Sequence, residues 1–136
     1  GPYAQIPGHE VKLPEEMEAL AERVRAELEK GGLATAFEKE LASGLDENQK
    51  RLRELLLHLV RTGEVRRIAE EYFVLSAVHR EFVQRVRDHL SKHGGLQVDD
   101  VRQMTDLSRK YLVPLLEDLD KRHVTRRQSS QMRVPW

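Results

Sequence analysis

The chain spells one pattern twice, and that repeat restricts its possible folds more than any other feature. VRAELEKGGL (24–33) resembles VRDHLSKHGGL (86–96) with one insertion. Further on, a constant offset of 59 sets Leu56 against Leu115, Leu57 against Leu116, Val60 against Leu119 and Val65 against Val124. Self-similarity at a fixed period points to two tandem modules rather than one bundle. Shared over 136 residues, each module has roughly 65, a size that is marginal alone and leans on a neighbour.

Each copy carries the same order of periods. Pro14 before Glu15 and Glu16 is a helix start, since proline suits the first position and acids suit the dipole. Met17, Leu20, Val24 and Leu28 form an apolar stripe ending at Gly31-Gly32. A short helix follows over 35–42 with Phe37 and Leu41 inward; then one capped by Asp46 buries Leu52, Leu55, Leu56, Leu59 and Val60. The period then changes: 65–68 and 72–75 flank Glu70-Glu71 and read as a β-hairpin. In the second copy Phe82, Val83, Val86 and Leu90 face inward on the first helix, which stops at Gly94-Gly95. A short helix over 98–104, capped by Asp99 or its neighbour, leads to one burying Tyr111, Leu112, Leu115, Leu116 and Leu119. A hairpin with a tip at 128–131 closes the copy. Three helices and a hairpin are the winged-helix form of helix-turn-helix. The expected fold is mainly α with small β-hairpin wings, in two tandem winged-helix domains at 14–75 and 76–136, after a linker at 1–13. Gly1-Pro2 is the kind of start a protease cut leaves, which would make the chain a piece of a longer protein.

Net charge is zero, yet it is unevenly spread. Residues 1–75 carry a net of −4 and residues 76–136 a net of +4, with five basic residues and no acid from Lys121 onward. Such asymmetry points to a polyanion partner. The third helix of this motif presents its first turn to nucleic acid, and that turn offers free N–H groups and the positive end of the dipole. Here it opens Ser108-Arg109-Lys110-Tyr111, whereas its counterpart Lys50-Arg51 has Asp46 and Glu47 beside it. At offset 59, Arg127 replaces Ile68 and Arg133 replaces Val74, so the second wing gains cations where the first ends in glutamates. Ser108, Arg109, Lys110, Arg126, Arg127 and Arg133 are therefore the candidate contacts, with salt-sensitive binding expected. Pro114 lacks an N–H, so the helix is expected to kink or start late. A short basic turn suits a bent RNA backbone or loop better than a deep major groove. A DNA-binding regulator and a protein-interaction module remain as alternatives.

VDDVRQMTDLSRKYLVPLLEDLDKRHVTRR (98–127), followed by MRV, resembles the last winged helix of the bacterial selenocysteine-specific elongation factors, the SelB family. The matching positions are Ser108 to Tyr111, Pro114 to Glu117, Asp120, and Thr125 to Arg127. The wing tip departs: Ser129-Ser130-Gln131-Met132 stands where relatives commonly have Gly-Asp before the last arginine. The resemblance implies a cytoplasmic translation factor whose end grips an mRNA hairpin, the selenocysteine insertion element, and adds Tyr111 to the RNA-binding set. It also implies a monomer that meets the ribosome and selenocysteinyl-tRNA through the full-length factor. GTP would bind elsewhere, since this chain has no Gly-rich phosphate loop.

Other chemistry has little to rest on. Without cysteine, disulfides, iron–sulfur clusters and zinc fingers are excluded. His89 and His93 sit four apart, a metal-binding spacing, but no third ligand or HExxH pattern accompanies them. Asp99-Asp100 reads as a helix cap rather than a catalytic pair. No apolar run reaches the roughly 18 residues of a membrane span. The expectation is a binding protein without enzymatic activity, cofactor or metal.

Overall fold

The computed structural model describes residues 13–136. The segment expected to be a linker therefore lies, but for Leu13, outside the described residues. Six helices and small antiparallel strands make up the rest, the mainly helical chain with hairpins that the periodicity implies. The order is α1 (Glu15–Gly31), α2 (Glu38–Gly44), α3 (Gln49–Arg61), β1 (Val65–Ala69), β2 (Tyr72–Leu75), α4 (Ser76–His93), β3 (Leu96–Gln97), α5 (Val98–Thr105), α6 (Arg109–Lys121), β4 (Thr125–Arg127) and β5 (Met132–Pro135). Among the described residues no helix is long and apolar enough to cross a membrane.

Helix ends follow local chemistry, with three departures from expectation. Pro14 precedes α1, three glutamates fill its first turn, and Gly32 ends it at φ +61°. Asp46 does not cap α3. It sits at φ +54° in the preceding turn, and Asn48 is the cap, its Oδ1 accepting the Arg51 N–H at 3.0 Å. Nor does Asp99 cap α5. Gln97 does, in a reciprocal box where the Asp100 carboxylate accepts the Gln97 N–H at 2.7 Å. Pro114 also fails to delay α6, which runs from Arg109 through it to Lys121. The acceptor it leaves unused is the carbonyl of Lys110, an exposed residue in reach of water.

The strands settle the frame of the repeat. The α3 and α6 caps, Asn48 and Ser108, are sixty residues apart, as are the left-handed pairs Asp46/Asp106 and Gly63/His123. The buried sets agree: Leu52, Leu55, Leu56 and Leu59 against Leu112, Leu115, Leu116 and Leu119. The offset from α2 onward is thus 60, not 59. In the first sheet Arg66 faces Val74 and Arg67 faces Phe73; in the second, Arg126 faces Val134 and Arg127 faces Arg133. Arg127 therefore stands where Arg67 does, and Arg133 where Phe73 does, so the wing has not gained two cations over its twin. The second sheet also has a third strand, β3, which pairs with β5 and which the periodicity does not show.

Two apolar cores form, and the β1–β2 hairpin belongs to both. Val65 and Phe73 join Leu20, Val24, Leu28 and the α3 leucines. Ile68, Tyr72 and Val74 join Phe82, Val86, Leu90 and the α6 leucines. Because strand side chains alternate between faces, both sides of this small sheet are covered. Around it, Phe37, Tyr72 and Tyr111 pack with ring centroids 5.2 to 5.5 Å apart, within the range of favourable aromatic geometry. The Tyr111 hydroxyl donates to the Thr35 carbonyl at 3.0 Å, and the Tyr72 hydroxyl to that of Leu33. Thr35 Oγ1 donates to the Phe73 carbonyl at 2.8 Å, and His79 Nε2 lies 2.8 Å from Asp118 Oδ2. Of these contacts, those of Tyr111 tie α6 to the first half of the chain.

Candidate nucleic-acid interface

The first turn of α6 and the β4–β5 hairpin border a cleft of about 340 Å³. Arg109 lines it from the helix, and Arg127 and Ser130 from the hairpin. Ser108 occupies the cap position, but its side chain accepts no backbone hydrogen bond, so the hydroxyl is free for a ligand. Lys110 is exposed, its Nζ 5.2 Å from the ring centres of both Phe37 and Tyr111. That placement steadies a long side chain while leaving its charge at the surface. Arg127 Nε reaches the Ser129 carbonyl at 3.3 Å, across the wing tip. Arg67 does the same work in the first hairpin, donating to the Glu70 carbonyl at 2.8 and 3.1 Å. Arg126, next to Arg127 on an alternating strand, is exposed and is absent from the cleft lining.

Two expected contacts are not available in that form. Arg133 is buried, 4% exposed, and its guanidinium is held by the Asp120 carboxylate at 3.0 to 3.2 Å. It occupies the position of a core phenylalanine, so its charge is spent inside the fold; though it borders the cleft, it is a structural cation. Thr125 Oγ1 also donates to Asp120, at 2.7 Å. Tyr111 is half-buried and its hydroxyl is committed to Thr35, so it joins α6 to the first half instead of offering a free ring.

The cleft also holds two residues that sequence reasoning passed over. Val113 is exposed at 39% and Glu117 lies one turn beyond it. Val113 falls between the buried positions Leu112 and Leu115, and that break in the apolar period was the available signal. An apolar patch between a cation and an acid suits a base edge or sugar better than a row of phosphates.

Ion pairing separates the two halves only in part, since Lys50, Arg66 and Arg67, at the positions of Lys110, Arg126 and Arg127, also have no ion pair among the described residues. In the first half, Arg51 lies 3.5 Å from both Glu16 and Glu47, and Arg53 is 2.9 Å from Glu38, which also accepts from Gln49 at 2.8 Å. At the equivalent surface of the second half, Arg109, Lys110, Arg126 and Arg127 have no ion pair among the described residues. Elsewhere, His89 Nε2 lies 3.3 Å from Asp100 and its ring 4.5 Å from that of His93. Among the described residues no three His, Cys, Asp or Glu side chains are grouped to hold a metal.

Residues 88–131 match the family model for the winged helix of elongation factor SelB. This part of the chain is similar to the SelB winged helix. A selenocysteine-specific elongation factor from Desulfomicrobium baculatum is 26% identical over 123 residues, covering 90% of this chain and 19% of that protein. The chain thus spans about a fifth of the length of that relative. Two solved structures share the fold. The mRNA-binding domain of elongation factor SelB from E. coli, in complex with SECIS RNA, superposes with a TM-score of 0.78 and 20% identity, covering 91% of this chain and all of that one. A bacterial selenocysteine-specific elongation factor gives a TM-score of 0.65 and 21% identity, covering 90% of this chain and 19% of that chain. The SelB match takes in α5, α6 and the wing tip, and so Arg109 and Arg127 at the rim of the cleft.

Proposed function

We propose that this chain is the mRNA-binding end of a selenocysteine-specific elongation factor and that it grips the hairpin of a selenocysteine insertion element. The observation that carries this reading is the overlap of the SelB winged-helix match at 88–131 with the unpaired cations Arg109, Lys110, Arg126 and Arg127. Ser108 and the free N–H groups of α6 hold a loop phosphate, Arg109 reads the loop or its backbone, and Lys110 adds charge alongside. Arg126 and Arg127 hold the flanking strand. The domain reading that accompanies this is two winged helices, 14–75 and 76–136, with the first serving as a dock. Its acid-paired helix start and glutamate wing tip support that division of labour.

The segment binds without catalysing. GTP, selenocysteinyl-tRNA and the ribosome belong to the longer cytoplasmic factor of which such a segment is a part. Binding measured at several salt concentrations to an insertion-element hairpin, a scrambled hairpin and the matching duplex DNA tests the assignment. Preference for the hairpin, with log affinity falling linearly against log salt, is expected. Equal or tighter binding to the duplex DNA overturns it, and failure to bind either at low salt points instead to a protein-interaction module.

A further inference from the structure

A second cationic cleft lies at the other end of α6. It also measures about 340 Å³, and is lined by Arg66 from β1, by His79, Arg80, Gln84 and Arg87 from α4, and by Arg122 at the α6 C-cap. Arg109 and Arg122 are thirteen residues apart along α6, roughly 20 Å at 1.5 Å per residue. The two clefts are therefore separate sites, one at the wing tip and one at the hairpin base.

No acid lines the second cleft. Asp118, the carboxylate nearest to it in chemistry, is buried and already shared between Arg122 Nε at 2.8 Å and His79. Arg66, Arg80 and Arg87 are exposed and have no ion pair among the described residues. Arg80 and Arg87, seven apart, fall on one face of α4 two turns from each other. Arginine forks match phosphate oxygens in a way that lysine does not, and every cation here other than the histidine is an arginine.

An aromatic surface adjoins these residues in the chain. His123, next to Arg122, stacks on Trp136 with centroids 3.9 Å apart and planes at 12°. The backbone N–H of Trp136 donates to the carbonyl of Val124, itself part of the cleft lining. Trp136 is 62% exposed, so the indole retains a face open to solvent. A phosphate-binding groove beside an open ring that already stacks is the arrangement that takes unpaired nucleotides.

We propose that this cleft binds a single-stranded RNA segment, distinct from the hairpin loop held at the α6 N-terminus. Arg66, Arg80 and Arg87 take successive phosphates, while Arg122, held by Asp118, borders the groove, and Trp136 stacks one base. The strand's source is either the sequence flanking the hairpin or a separate RNA, and the chemistry of recognition is the same.

The test uses the whole chain and a labelled, unstructured 12-nucleotide RNA, followed by anisotropy over a salt series. The Arg80→Ala/Arg87→Ala double variant is expected to bind it about tenfold more weakly and to lower the salt slope by about 1.4, the loss of two single-strand phosphate contacts. Trp136→Ala weakens binding with no change of slope. Arg109→Ala leaves this binding intact. Adding a tail to the hairpin RNA, against adding the 12-mer in trans, identifies the source; a gain in either that is lost in the double variant supports the site. No binding of the 12-mer by the unaltered chain at low salt overturns the proposal, as does an equal loss in Arg109→Ala. Binding of a poly-glutamate peptide in place of RNA also overturns it. Should the 12-mer bind as expected while no hairpin is preferred, this site stands and the hairpin assignment falls. A preferred hairpin with no binding of the 12-mer removes this site and leaves the hairpin assignment standing.

Discussion

Arg109 and Arg133 are equivalent candidates in the sequence, and their environments make them opposites. Arg109 is exposed and unpaired on the first turn of α6, so Arg109→Ala is expected to weaken hairpin binding by about 1–3 kcal/mol while leaving the fold intact. Lys50→Glu, at the matching turn of α3, is expected to change hairpin affinity little, and a comparable loss would place RNA on the first half. Arg133→Ala is expected to act on stability, by about 2 kcal/mol, because it strands the Asp120 carboxylate at a largely buried site. The repeat supplies a sharper check. Asp120, Thr125 and Arg133 stand where Val60, Val65 and Phe73 stand in the first half. The triple swap Asp120→Val, Thr125→Val, Arg133→Phe is therefore expected to recover the stability lost in the single variant, read by urea unfolding. Arg133 could not be placed from sequence, because a charged residue on a strand reads as exposed unless its partner is known, and Asp120 lies thirteen positions away.

At the scale of elements, the helices were legible and the frame between them was not. Leucine spacing in 52–59 and 112–119 gives the buried faces directly. The same leucines hide the register: Leu55-Leu56-Leu57 can be laid on Leu115-Leu116 in two ways, and an offset of 59 also pairs Val65 with Val124. Only strand pairing and the left-handed turn residues distinguish the two alignments. Strand β3 was invisible because two residues show no period, and Gln97 does double duty as the cap of α5. The β1–β2 hairpin carries its own prediction. Burial pushes the Tyr72 hydroxyl well above the usual tyrosine value, with Tyr111 and Asp118 adding to the shift. Since the folded form holds this proton more tightly, its contribution is complete below about pH 10, the ordinary phenol value, and is lost as pH rises further. Tyr72→Phe is expected to cost about 1 kcal/mol near neutral pH through the hydrogen bond to Leu33, and to flatten the alkaline limb of a stability-against-pH curve.

For the whole molecule, the two cores are not independent. Ile68, Tyr72 and Val74 complete the second core from the first half of the chain. A fragment of residues 76–136 alone is expected to lose cooperative unfolding, whereas the 136-residue chain unfolds in a single transition seen alike by fluorescence of Trp136 and by circular dichroism. Two resolvable transitions in the intact chain would show that the hairpin does not couple them. The join between the halves extends this point. Leu75 ends β2 and Ser76 begins α4 with no residue between them. The Ser76 N–H donates to the Glu64 carbonyl at 2.8 Å and its hydroxyl to that of Gly63 at 2.6 Å. Hinges need torsions that are free to turn, and here both strand and helix claim them. Any large change in the angle between the halves must therefore wait for local opening of the hairpin. Its rate would follow that opening, on the slow side of microseconds, rather than the nanosecond swing of a loose tether.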